Sequence, residues 1–138
     1  MSSSGKLPLR LDIPVKLTWD LMPMYENDGA WDADFARLPE LLNAFTAWRG
    51  KLSESPEAMK SAIEALDALE RLGEKLYTYA HLRSDENTAD SGNRSRLDRI
   101  SSYFATVSAA SAWLEPEVMA IPEARMNELL NAPELAFY

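Results

Sequence analysis

The sequence predicts an all-α fold, a helical bundle built on a long antiparallel helix hairpin with an irregular, proline-containing N-terminal arm. Three observations predict it. Apolar residues from Met59 to Ala80, and again from Leu97 to Leu114, recur at spacings of three and four, which places them on one helical face. A single polar run, Arg83 to Gly92, joins the two stretches and leaves room for one reversal of direction. Pro8, Pro14 and Pro23 crowd the chain ahead of Met24, where missing backbone donors and restricted neighbours oppose a helix.

The elements follow in order. Residues 1–25 are expected to form an extended arm, with β-branched Ile13, Val15 and Thr18 between the prolines. Residues 26–138 are expected to form the helical lobe. Asn27-Asp28-Gly29 supplies a helix start, with Asp32 and Asp34 near the positive end of the helix dipole. Trp31, Phe35, Leu38, Leu42, Phe45 and Trp48 make an apolar stripe, which Pro39 is expected to kink or split and Gly50 to end. Ser55-Pro56-Glu57 is a cap followed by proline at the first helical position, and helical period then runs to about His81, roughly 40 Å of helix. The following helix carries Leu97, Ile100, Phe104, Val107, Ser111 and Leu114, with Ala105, Ser108, Ala109, Ala110 and Ala112 as small neighbours that permit close approach. Leu66, Leu69, Leu76, Leu97, Ile100, Phe104 and Val107 are the expected core of the hairpin. Pro116 and Pro122 each look like the first residue of a short helix, the second carrying Met126, Leu129 and Leu130.

Composition restricts the partners. The chain has 138 residues, a net charge of −8 and no cysteine. The acidic balance opposes nucleic acid and anionic membrane surfaces, both of which attract basic patches. Without cysteine there are no disulfides and no thiolate metal sites, which suits a reducing cytoplasm. No apolar run is long enough to span a bilayer.

Catalytic arrangements fail one by one. A catalytic zinc needs three protein ligands and an open position, and His81 is the single histidine. There is no His-Glu-x-x-His, no Glu-x-x-His, no Gly-x-Ser-x-Gly and no phosphate-cradling glycine loop. The sequence therefore assigns no catalytic residue and no metal ligand to this chain. His81 admits two roles, as a ligand for a peptide carboxylate or as a cap over exposed carbonyls at a helix end. The Trp31–Trp48 stripe is core or a peptide groove. Arg94, Arg96 and Arg99 clamp a carboxylate or form a salt-bridged face with Asp90 and Asp98.

Several segments together resemble one family. Trp19-Asp20-Leu21, then Tyr25-Glu26-Asn27-Asp28 with Trp31 after it, resembles the opening of oligoendopeptidase F proteins, zinc peptidases of the M3 group. Arg49-Gly50-Lys51-Leu52, Trp113-Leu114-Glu115-Pro116-Glu117 and Pro133-Glu134-Leu135 fit the same register. The nearest match is Tyr79-Ala80-His81-Leu82-Arg83-Ser84-Asp85-Glu86-Asn87-Thr88, and the likeness extends from about Leu17 to Tyr138.

The resemblance implies the N-terminal, non-catalytic helical lobe of such an enzyme, forming part of the wall of an oligopeptide-binding cavity. It implies zinc in the parent enzyme, held by His-Glu-x-x-His and a further glutamate that this chain does not contain, and none here. The catalytic domain of the same polypeptide and an oligopeptide substrate are the implied partners, with a cytoplasmic location. Tyr79, His81 and Arg83 are the candidate substrate-binding residues. The apolar ending Ala136-Phe137-Tyr138 is expected of a truncated piece. Such a lobe is expected to expose an apolar face, through Leu129, Leu130, Leu135, Phe137, Tyr138 and the aromatic side of the first helix, and to self-associate as a homodimer. The alternative is a stand-alone helical interaction module.

Overall fold

The computed structural model describes residues 8–138 and is all-helical over them, with no strand. Met1–Leu7 of the expected arm lie outside the described residues. Five α-helices follow one another: α1 (Asp28–Thr46), α2 (Pro56–Glu86), α3 (Ser91–Ser111), α4 (Leu114–Ala120) and α5 (Glu123–Leu130). The long helix α2 is the centre. Helices α1 and α3 pack along it and touch each other, and α5 and a final 3-10 turn (Pro133–Leu135) return to it.

Each of the three long helices begins on a side-chain cap, at the expected residue for α1 and α2 and, for α3, at Asp90 within the expected connection. Asn27 accepts from the Ala30 amide, Ser55 from Ala58 and Asp90 from Asn93, each satisfying a donor that the first turn leaves free. Pro39 does not split α1, which runs unbroken through it. After α1 the chain turns through Gly50, whose φ of +80° is the left-handed conformation that glycine adopts without a Cβ penalty. Glu117 of α4 fastens this turn, accepting from the Gly50 amide at 2.7 Å and the Leu52 amide at 3.1 Å.

Helix α2 outlasts its apolar period. The expected end near His81 is replaced by an end at Glu86, and the connection shrinks to Asn87–Asp90. The added turn is polar but internally paired. His81 Nδ1 lies 3.0 Å from Asp85 Oδ2, and Arg83 reaches Glu86 at 3.1 Å, the i,i+4 and i,i+3 spacings that support a helix without burial. The side-chain Nδ2 of Asn93, a buried polar residue of α3, donates to the Arg83 carbonyl at 2.9 Å. Phe104 lies farther from the connection and meets Tyr77 and Gly73.

The core contains Trp31, Leu38, Phe45, Leu69, Leu76, Ile100, Leu129 and Leu135. The aromatic stripe of α1 is therefore core at Trp31 and Phe45, with Phe35 and Trp48 half-buried against it. Of the expected hairpin core, Leu66, Leu97 and Val107 are half-buried and Phe104 is 37% exposed. Phe104 sits on the flank of the α2–α3 contact, because buried Gly73 offers it a shallow seat and no third element covers its outer side. Leu129 and Leu135 were expected on an exposed face but are buried, since α5 and the last 3-10 turn fold back on α2. Leu130, Phe137 and Tyr138 are exposed.

The arm is not simply extended. Two one-turn 3-10 helices, Arg10–Asp12 and Val15–Leu17, are separated by extended residues around Pro14. Leu9, Leu11, Val15, Leu17, Trp19 and Met22 all remain at least 60% exposed along it. The arm joins the body at Leu21, which packs against the core, and at buried Tyr25.

Candidate functional site

The arm crosses the end of α2 and the start of α1, and leaves a cleft of about 580 Å³ between them. Trp19, Leu21 and Met22 line it from the arm, Asn27, Asp28 and Gly29 from the cap of α1, and Tyr79, Arg83 and Glu86 from α2. Its position follows from the helix starts. The Asn27 cap fixes where α1 leaves the arm, and the extra turn of α2 brings Glu86 to the arm.

A carboxylate with two guanidinium partners closes the upper end. Glu86 accepts from Arg10 Nη2 at 2.8 Å and from Arg83 Nη1 at 3.1 Å, and its side chain is only 8% exposed. Such a charge is tolerated away from water because both of its oxygens are answered. The Nε of Arg83 is buried and has no partner, so this guanidinium keeps an unused donor.

The lower wall is aromatic. Tyr25 and Tyr79 meet edge to face with centroids 5.1 Å apart, and the Lys75 ammonium lies 4.0 Å from the centre of the Tyr25 ring. The Tyr25 hydroxyl donates to Asp34 Oδ2 at 3.0 Å. Burial, the Asp34 hydrogen bond and the Asp34 charge push the Tyr25 phenol well above its ordinary value. Burial likewise raises the Tyr79 phenol, so both rings stay neutral hydrogen-bonding groups. Burial raises Asp34 too. Hydrogen bonds from Arg37 and Tyr25 and the charges of Lys75 and Arg37 outweigh it, and hold the carboxyl below its ordinary range.

Of the three residues expected to bind substrate, Tyr79 and Arg83 share the cleft and His81 does not. Residues four apart lie on one helical face, whereas a step of two turns the side chain to the far side. His81 sits there with Tyr77, ring centroids 5.6 Å apart, and pairs with Asp85 on its own helix. The arginines of α3 divide, with Arg94 and Arg99 lining one surface hollow beside Asp98 and Arg96 lying apart from it. Arg96 pairs with Asp28, and Arg99 with Asp32 at 2.7 Å, while the Arg99 guanidinium stacks over Trp31 and Phe35. The expected partners Asp90 and Asp98 give way to carboxylates of α1, because α1 and α3 pack close enough to pair across.

Arg10, Trp19, Tyr25 and Glu86 are cleft residues that the sequence did not propose for binding, although all but Arg10 lie in the family-like segments. Arg10 and Glu86 are 76 positions apart, and no local period links them. Among the described residues no group of three or more His, Cys, Asp or Glu side chains comes together to hold a metal ion. The residues present do not fit the zinc site that the resemblance places in a parent enzyme. No helix among the described residues is long and apolar enough to cross a membrane.

No family model matches the chain. It is 33% identical over 137 residues to oligopeptidase PepF of Bacillus subtilis, across 98% of this chain and 20% of that protein. It is 29% identical over 123 residues to the plasmid oligoendopeptidase F of Lactococcus lactis subsp. cremoris, across 88% of this chain and 20% of that protein. Among crystal structures, the oligoendopeptidase F of Enterococcus faecium superposes with a TM-score of 0.71 at 29% identity, over 81% of this chain and 22% of that one. A Chlamydophila abortus structure described as a peptidase superposes with a TM-score of 0.80 at 26% identity, over 95% of this chain and 22% of that one. The chain thus spans about a fifth of the length of the relatives it matches.

Proposed function

We propose, on the premise that this chain matches a segment of the oligoendopeptidase F family, that it is the N-terminal helical lobe of such a peptidase and walls part of its oligopeptide cavity. The observation that carries this is the likeness to PepF across almost the whole chain, with a similar fold in solved relatives. In this reading Tyr79 and Arg83 face the peptide in the cleft, the tyrosine as a neutral aromatic wall and the arginine as a donor to main-chain carbonyls. The lobe catalyses nothing alone, and zinc belongs to residues elsewhere in the polypeptide. The enzyme is cytoplasmic.

Six exposed apolar side chains along the arm support a further packing partner, because lone soluble domains seldom leave so many large apolar groups uncovered along one segment. That partner is the catalytic domain of the same polypeptide. Without it, the isolated lobe forms a homodimer, which light scattering across a concentration series at moderate salt detects.

Two measurements test the assignment. Reading the source gene beyond codon 138 should reveal an in-frame His-Glu-x-x-His, whereas an immediate stop codon would make the chain a stand-alone helical module. The purified chain should hydrolyse no quenched oligopeptide with or without added zinc, since one histidine is too few ligands. Zinc-dependent turnover by the pure chain overturns the reading.

A further inference from the structure

Far from the cleft, at the corner between α3 and α4, a hollow of about 690 Å³ opens on the surface. Ala109, Ala110 and Ala112 contribute small side chains to its lining, beside Trp113, Pro116, Glu117 and Arg49. Trp113 is 91% buried by its 9% exposure and is stacked on Phe45 with centroids 5.2 Å apart, so its ring is held in place from below. Its Nε1 is a buried donor with no partner. A buried N–H normally finds an acceptor, and leaving one unanswered is unfavourable. Arg49 on the exposed turn is a second unanswered donor, for no carboxylate among the described residues lies within ion-pair distance of it. The obvious candidate, Glu117, has one oxygen on the Gly50 amide and the other on the Leu52 amide.

Two donors of the hollow, the Arg49 guanidinium and the Trp113 indole N–H, thus lack an acceptor. We propose that it binds a carboxylate, held by the Arg49 guanidinium and completed by the indole N–H of Trp113. Both are donors without a competing acceptor of their own, and a planar guanidinium matches a carboxylate in two-point geometry. The alanine lining leaves space for an aliphatic stem behind the charged group. Because Nε1 is covered, the ring edge shifts slightly when the acceptor arrives, and that shift is measurable.

The test is a titration of the ¹⁵N-labelled chain with sodium acetate at constant ionic strength, with sodium chloride as the reference. It follows the four indole N–H signals of Trp19, Trp31, Trp48 and Trp113. The Trp113 signal, assigned by its loss in Trp113→Phe, should move downfield and saturate while the other three move little. Arg49→Gln, an exposed change with no ion pair to lose, should weaken the acetate response about tenfold, the effect of one charge-assisted contact. A tetra-alanine with a free C-terminus binding more tightly than acetate would name a peptide terminus as the source of the group, and equal binding a free small carboxylate. No movement at Trp113, an equal response to chloride, or an unchanged response in Arg49→Gln would overturn the proposal.

Discussion

The indole Nε1 of Trp31 donates to the main-chain carbonyl of Leu76 at 3.0 Å, and neither side chain has any exposed surface. This bond joins the start of α1 to the middle of α2 across 45 positions and fixes the height at which the two helices meet. Trp31→Phe should keep most of the packing, lose the bond and cost about 1–3 kcal/mol. Trp31→Ala should cost about 3–5 kcal/mol, because the cavity adds to the lost transfer energy. Urea denaturation of both variants checks the order, and equal losses would show that the bond carries little.

Phe104 and Ile100 lie one helical turn apart on α3 and should respond differently. Ile100 has no exposed surface and Phe104 is 37% exposed. Ile100→Ala should cost about 2–5 kcal/mol and Phe104→Ala no more than about 1.5 kcal/mol, despite the larger side chain removed. The seat of the ring offers a sharper check. A Cβ at Gly73 would approach Phe104 Cε1 to 3.2 Å, which the half-free ring can relieve by tilting. Gly73→Ala should therefore be near neutral in the native background. In Phe104→Ala it should stabilise by about 1 kcal/mol, the usual helical gain of alanine over glycine.

Asp34 gives the fold a defined acid response. Its carboxyl is held below the ordinary value in the folded chain, the net result of Arg37, Tyr25 and Lys75 against burial. A depressed folded pKa contributes stability that is complete above the unfolded value, near 3.9, and is lost as pH falls through the folded one. Thermal melts between pH 6 and pH 3 should show a loss of stability beginning below about pH 4.5, and Asp34→Asn should flatten that part of the curve. An identical slope in the variant would assign the acid response to other carboxylates.

Glu117 should behave as a structural clasp. Its two oxygens answer the amides of Gly50 and Leu52 from 67 and 65 positions away. Glu117→Ala should cost about 1–3 kcal/mol and speed hydrogen exchange at those two amides, and Glu117→Gln should recover part of the loss. Unchanged exchange at Gly50 would show that the turn holds itself.

The sequence alone determined where α1 and α2 begin, because a cap is a matter of four successive residues. Asn27 and Ser55 each bond an amide three positions on, whatever the rest of the chain does, whereas the Asp90 cap of α3 lies inside the polar run that reads as the connection. It also determined that α1 carries an apolar stripe. Tertiary structure decided the rest. Period places Phe104 and Ile100 on one face equally, but only the width of the contact with α2 buries one and leaves the other on the flank. Apolar period ends near His81, yet the helix continues to Glu86, where Arg10 from the arm and Arg83 answer a carboxylate that sequence leaves in a polar run. Tyr79, His81 and Arg83 are neighbours in sequence, and the helix turns the histidine away from the cleft that the other two share. Local rules fix what successive residues can do for one another. Burial and ion pairing across 76 positions depend on which surfaces meet, and that is settled only when the helices pack.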